Sequence, residues 1–341
     1  MREKIKCVVW DLDNTVWDGV FSEDKDVMLN PEAYNAIIEL DKRGILQSIA
    51  SKNEFEPTAL KLKELGIFEY FLYPQITWNS KAESLRRIQK ELNFGINTFA
   101  FVDDQQFERD EVQYSLPEVL CIDAKEIPTL LELEVMHPNF ITVDSKVRRK
   151  LYQADITRNK EEEKYKGPKE DFLKTLGFKF TIEKATEEDL QRIEELTVRT
   201  HQLNSTGTIY SYDELINMIN FEKYGVYIAQ LDDKYGTYGK IGIAVVEKSQ
   251  VWEIKLILMS CRVISKGVGS VLLSFLIQQA KKNNVDLLAD FIPTDKNRIM
   301  YITYKFSGFE EISNDNNLVK LKAKIGSNVQ YPQYVEVIEK L

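Results

Sequence analysis

The sequence is poor in the side chains that soft-metal sites and disulfide frameworks require, with three cysteines and two histidines in 341 residues. Cys7, Cys121 and Cys261 stand far apart with no paired spacing, which argues against both a cysteine-framed zinc site and a disulfide scaffold. His137 and His201 are too few for a histidine-built centre, so any metal here is expected to be held by oxygen. Positive charge is also in deficit. A formal net charge of −9 and a pI of about 5.1 give no footprint for nucleic acid or an anionic membrane. No apolar run approaches the roughly 18 residues that span a bilayer. Residues 1–6 lead directly into a short apolar strand, unlike a signal or transit peptide, so a cytoplasmic protein is expected.

What is present suits two ordinary domains: 43% hydrophobic residues and a 29% charged fraction spread along the chain. In the first 130 residues, apolar runs at 6–10, 46–50, 70–73, 98–102 and 119–122 alternate with helical patterns near 31–43, 55–65, 80–92 and 107–115. Near-continuous apolar strands separated by helices indicate βαβ units and a parallel sheet covered on both faces. A charged stretch from Ser145 to about Thr175, containing Gly167-Pro168, is expected as a partly helical linker. Further strands are expected at 178–183, 225–232, 240–248, 251–260, 286–291 and 317–323. Helices are expected at 187–196, 211–219, 267–282 and 296–307. The expected division is 1–144, linker 145–175, 176–325 and a C-terminal tail 326–341.

The sharpest motif is Asp11-Leu12-Asp13-Asn14-Thr15, directly after the first apolar strand. Side chains at the carboxyl end of a parallel strand reach the crevice where open α/β sheets bind ligands. Phosphoryl transfer through an aspartyl phosphate needs one carboxylate as nucleophile and a second as acid and base, and Asp11 and Asp13 meet that need. A calcium loop fails on spacing, because Thr15 and Val16 occupy the fifth and sixth positions. Three later features fall at the ends of other strands. Ser51 offers a hydroxyl, Lys81 a cation for a transferring phosphoryl group, and Asp103-Asp104 the oxygen ligands that Mg²⁺ prefers. Singly, each reads equally well as a helix cap, a solvated side chain or a turn former; their common placement favours a site.

Asp11-Leu-Asp13-Asn-Thr15, Ser51-Lys52-Asn53, Lys81 and Val102-Asp103-Asp104 resemble the four ordered motifs of the haloacid-dehalogenase superfamily over roughly residues 1–125. The resemblance implies Asp11 as nucleophile, Asp13 as general acid and base, and Ser51, Lys52, Asn53 and Lys81 around the phosphate. It also implies Mg²⁺ held by Asp11, Asp103 and the Asp13 carbonyl, with Asp104 as an alternative ligand.

In the second half, a strand ends in Ser260-Cys261-Arg262, and Lys266-Gly267-Val268-Gly269 opens a helix. A glycine-rich turn at a helix start exposes N–H groups and can seat a pyrophosphate or phosphopantetheine phosphate, although two glycines there are also ordinary packing. Cys261 adjoins Arg262 and lies near Lys266, surroundings that favour a thiolate nucleophile over a buried apolar thiol. Arg199-Thr200-His201-Gln202-Leu203-Asn204 is dense in hydrogen-bonding groups; it reads either as capping or as a polar pocket with His201 as a base. The element order resembles an N-acetyltransferase (GNAT) type α/β domain with a mixed sheet over roughly 176–325. Ile264, where that signature carries Gln or Arg, weakens the expectation of acetyl-CoA.

Taken whole, the chain resembles the FkbH-like family, a haloacid-dehalogenase domain of subclass IIIC joined to a GNAT-like domain. Carrying residues in the second half are Arg199-Thr200, Gln202, Asn204, Ser260-Cys-Arg262, Ile292-Pro-Thr294 and Lys296-Asn297. His201, Leu203 and Gln105-Gln106 depart from the family pattern. The resemblance implies transfer of a glyceryl unit from 1,3-bisphosphoglycerate, a phosphorylated three-carbon substrate, to an acyl carrier protein. It implies Mg²⁺ and phosphopantetheine, with CoA as the alternative, and Arg199, Gln202, Asn204, Arg262, Lys266, Gly267, Gly269 and Asn297 around the pantetheine or acyl group. A phosphatase joined to an acyl-CoA-dependent N-acyltransferase, or a scaffold that has lost catalysis, are the competing expectations.

Overall fold

The computed structural model describes residues 2–23, 26–324 and 330–341. The chain divides into two compact units, Met1–Gln153 and Ala154–Leu341.

The first unit is built on a five-stranded parallel sheet. Its strands are β1 (Cys7–Trp10), β2 (Leu46–Ser51), β3 (Gln75–Ile76), β4 (Phe99–Asp103) and β5 (Leu120–Asp123), in the order β3-β2-β1-β4-β5. β1, β2 and β4 are buried at every residue, as expected of central strands covered on both faces. Its longer helices are α1 (Pro31–Lys42), α2 (Phe55–Glu64), α3 (Lys81–Leu92) and α4 (Gln106–Ser115). Asn30 starts α1 by accepting hydrogen bonds from the Glu32 and Ala33 amides, with Pro31 in the first turn. Ser80 caps α3 through the Glu83 amide, which sets where Lys81 leaves the backbone. Between β1 and α1 lies a two-stranded ribbon, Trp17–Asp18 paired with Met28–Leu29. The core is filled by Trp10, Trp17, Ile37, Leu62 and Val102, among others.

The expected strand at 70–73 forms a 3₁₀ turn over Phe68–Tyr70 and a single bridge from Phe71 to Gln47; the sheet edge is taken instead by Gln75–Ile76. The charged stretch becomes helix α5 (Arg148–Lys164), and the boundary between the units falls within it.

The second unit carries α6 (Lys169–Leu176), which ends at Gly177 with φ of 65°, a left-handed conformation glycine adopts freely. An eight-stranded mixed sheet follows: β6 (Phe178–Lys184), β7 (Tyr224–Asp233), β8 (Gly236–Glu247), β9 (Val251–Met259), β10 (Asp286–Phe291), β11 (Phe309–Asp315), β12 (Leu318–Ala323) and β13 (Val335–Lys340). Their order is β11-β12-β10-β9-β8-β7-β6-β13, with β9–β10 and β6–β13 parallel and the others antiparallel. Helices α7 (Leu190–Arg199), α8 (Tyr212–Asn220), α9 (Val271–Lys282) and α10 (Arg298–Phe306) complete it. One apolar cluster gathers α7 and α8 residues such as Leu196 and Leu215; another gathers α6, α9 and α10 residues such as Leu176, Phe275 and Tyr304. Helix α9 starts later than expected, because Cys261–Lys266 forms a 3₁₀ turn first. Two strands of this unit went unanticipated, β11 and β13. The latter lies in the expected tail, of which 326–329, like residue 325 before it, falls outside the described residues.

Candidate active site

Strand register assembles the site. Trp10 of β1 stands opposite Val102 of β4, so Asp11 and Asp103, each one residue further on, emerge side by side at the carboxyl edge. The Asp11 amide donates to the Val102 carbonyl at 2.9 Å, extending the ladder to the motif itself. Carboxylate oxygens of Asp11, Asp103 and Asp104 can all lie within 4.8 Å of one another.

Lys81, 3% exposed, faces them. Its ammonium is hydrogen-bonded to Asp11, lies 3.2 Å from Asp103 Oδ2 and donates to the Ala50 carbonyl at 2.8 Å. Burial works against the ammonium, but the facing Asp11 and Asp103 carboxylates outweigh it and hold its pKa above the ordinary lysine value. Burial pushes Asp11 up to about 7; Lys81 opposes this, and the Asp103 and Asp13 charges add to it. Asp103 and Asp104 are raised as well, chiefly by burial. One ammonium pairs with Asp11 and Asp103 while Asp104 adds a third carboxyl group, whose buried Oδ1 accepts no hydrogen bond. This oxygen-rich, under-compensated arrangement fits a hard divalent cation such as Mg²⁺.

Asp13 is held differently. Its Oδ1 accepts from Trp17 Nε1 at 2.8 Å and from the Phe21 amide at 3.0 Å, and its Oδ2 accepts from Asn53 Nδ2 at 3.0 Å. Three donors hold the Asp13 carboxylate, which is not part of the group formed by Asp11, Asp103 and Asp104. Asn53 also donates to Ser51 Oγ at 3.1 Å, which ties the second motif to the first. Lys52, expected near the phosphate, instead pairs with the buried Glu108 at 2.6 Å. Sequence reasoning did not single out Glu108 or Arg109. Arg109 donates to the Asp103 carbonyl at 2.7 Å and to Asp123 at 2.6 Å, fixing the strand end. Their only signal is their place on the helix that follows Asp103-Asp104.

In the second unit, half-buried Cys261 opens the 3₁₀ turn. The neighbouring cations already face partners: Arg262 donates to the Tyr238 carbonyl at 2.6 Å and lies 3.8 Å from Asp155, and Lys266 lies 3.4 Å from Glu162. Gly267 has φ of 69°, and Tyr334 Oη donates to its carbonyl at 3.2 Å; Gly269 is open. Arg199 pairs with Glu195 at 3.3 Å; His201 is exposed and Gln202 half-buried. Asn204 and Asn297, expected to face an acyl group, are both 2% exposed and spend their amide groups on backbone. Asn204 Nδ2 donates to the Thr200 carbonyl and Asn297 Nδ2 to the carbonyls of Asn204 and Ile292. No helix among the described residues is long and apolar enough to cross a membrane.

No protein-family model matches the chain. It is similar to Magnesium-dependent phosphatase 1 of Homo sapiens, at 28% identity over 136 residues, covering 34% of this chain and 76% of that protein. Among solved structures, the phosphatase-domain-containing N-terminal part of BF1531 from Bacteroides fragilis, complexed with Mg, aligns at 26% identity and a TM-score of 0.34. It covers 39% of this chain, and the chain spans 40% of that structure's length. The ribosomal-protein-S18-alanine N-acetyltransferase of Escherichia coli aligns at 18% identity and a TM-score of 0.34, covering 45% of this chain and 99% of that one.

Proposed function

We propose that this chain is a two-part acyl-handling enzyme: a Mg²⁺-dependent phosphoryl-transfer unit joined to a GNAT-like acyl-transfer unit. Together they move a glyceryl group from 1,3-bisphosphoglycerate to the phosphopantetheine thiol of an acyl carrier protein. The observation that carries this reading is the convergence of Asp11, Asp103 and Asp104 against the buried Lys81. The similarity to Magnesium-dependent phosphatase 1 supports the phosphatase half. The FkbH-like resemblance supports the glyceryl half.

In this reading Cys261 attacks the acyl phosphate carbonyl, so that a carbon–sulfur bond forms as the carbon–oxygen bond to phosphate breaks. At the other end of the substrate, an Asp11 oxygen attacks phosphorus in line, and the departing glyceryl oxygen takes a proton from Asp13. Water then cleaves the aspartyl phosphate, its proton returning to Asp13. Trp17, the Phe21 amide and Asn53 orient Asp13 for both transfers. Lys81 positions the Asp11 carboxylate and lends positive charge to the transferring group. Mg²⁺, held by Asp11, Asp103 and Asp104, supplies the remaining charge neutralisation for the phosphoryl oxygens. Exchange of the Cys261 thioester with the carrier thiol completes the transfer.

The test is to incubate the protein with 1,3-bisphosphoglycerate, Mg²⁺ and phosphopantetheinylated carrier, follow phosphate release, and weigh the intact carrier. A glyceryl mass increment supports the reading. A carrier that gains no mass from any three-carbon donor removes the transferase half, and an absence of phosphate release with Mg²⁺ removes the other.

A further inference from the structure

β9 and β10 pair in parallel only from Val251 opposite Asp286 to Ile254 opposite Ala289. Beyond Ile254 they no longer pair, and the β10-facing edge of Lys255–Met259 needs other partners. A bare strand edge is where an extended ligand with peptide-like amides adds as an extra strand. Pantetheine is such a ligand, with two amides in line before its thiol.

That edge is already taken by the chain itself. The Leu203 carbonyl accepts from the Met259 amide at 2.8 Å, and the Ser205 amide donates to the Ile257 carbonyl at 3.0 Å. Ser205 Oγ accepts from the Ile257 amide at 3.0 Å, and Thr206 Oγ1 donates to the Lys255 carbonyl at 3.3 Å. On the far side, the Ile292 amide donates to the Ser205 carbonyl at 2.9 Å, and Asn297 clamps the Asn204 and Ile292 carbonyls together. Leu203, Asn204, Ser205 and Thr206 are all buried. At the glycine turn before α9, a Cβ at Gly267 would lie 2.2 Å from Tyr334 Oη, while Gly269 faces open space.

We propose that Leu203–Thr206 is a built-in strand occupying the place of a pantetheine arm, so that the second unit does not take CoA thioesters between β9 and β10. This deepens the acyl-transfer reading and rests on it: the acyl donor is a phosphorylated acyl group, and the carrier thiol approaches Cys261 from outside the gap.

Hydrogen exchange read by mass spectrometry on the full chain, with and without millimolar CoA or acetyl-CoA, tests the proposal. The amides of Ser205, Ile257, Met259 and Ile292 should exchange slowly, and the ligand should leave them unchanged, whether it binds elsewhere or not at all. Asn297→Ala, which removes the clamp, should speed their exchange about tenfold. Fast exchange of these amides in the native protein overturns the proposal, as does saturable CoA binding that alters their protection, or an Asn297→Ala variant that exchanges at the native rate. A failed carrier-loading assay leaves the exchange result standing. Displacement of the segment by CoA, in turn, sinks the built-in strand without touching Asp11 or the loading reaction.

Discussion

Replacing Lys81 by methionine keeps the length of the stem and removes the ammonium that pairs with Asp11 and Asp103. The lysine side chain is 4% exposed and those of Asp11 and Asp103 are 7% and 1% exposed, so water cannot take over its role. Removing one partner of a buried ion pair costs about 3–5 kcal/mol, mostly the penalty of the charge left behind. For a unit the size of Met1–Gln153, that becomes a loss of roughly 6–20 °C in melting temperature. Mg²⁺ seeks the same oxygens as the ammonium, so it should raise the melting temperature of Lys81→Met more than that of the native protein. Turnover should nevertheless fall by about a hundred- to a thousandfold, the usual effect of deleting one preorganised charge from such a site. The assays are thermal unfolding in EDTA and in Mg²⁺, and hydrolysis of p-nitrophenyl phosphate. Equal stabilisation of both proteins by Mg²⁺, or native melting of Lys81→Met in EDTA, would refute the idea that lysine and metal answer the same carboxylates.

Asp11→Asn should reduce phosphate release at least about a thousandfold with the fold intact, checked by phosphate assay beside circular dichroism. Cys261→Ala should abolish carrier loading while p-nitrophenyl phosphate hydrolysis continues at the native rate. In the second unit, Arg158 grips Asp233 through two nitrogens, with both side chains wholly buried, and lies 3.7 Å from the centre of the Tyr238 ring. Arg158→Met should therefore cost about 3–5 kcal/mol, read as a lower melting transition of that unit with phosphate release retained. pH supplies a further check. Asp11, raised from 3.8 to about 7 chiefly by burial, favours the protonated folded state. Its contribution to stability is whole below pH 3.8 and is lost as pH rises through 7, so in EDTA the first unit should weaken across that rise. Mg²⁺ binds the ionised carboxylate and should bind more tightly over the same interval, releasing protons that calorimetry in two buffers can count.

The first half was legible because its chemistry sits at strand ends. A buried strand followed at once by Asp11, or by Asp103-Asp104, announces both an element and the direction its next side chains take. Residues acting from helices gave no such signal. Glu108 and Arg109 look like any solvated pair on α4, and only the fold brings them to Lys52 and Asp103. Asn204 and Asn297 misled in the other direction, because an amide suited to a ligand is equally suited to a buried carbonyl. Strand β11 was missed because Glu310, Glu311, Asn314 and Asp315 make an edge strand read as loop. The 70–73 run failed because apolar residues can fill a core without lengthening a sheet.

The pairing of β13 with β6 joins residues 157 positions apart, through Lys340 and Glu183 among others. A ribosome must therefore deliver nearly the whole second unit before β6 meets its outer neighbour. Until then a hydrogen-bonding margin stays open on the nascent chain, and closing so long a loop is entropically slow. The five-stranded sheet of Met1–Gln153 draws all of its strands from residues 7–123, so its pairing can be complete while the second unit is still being made.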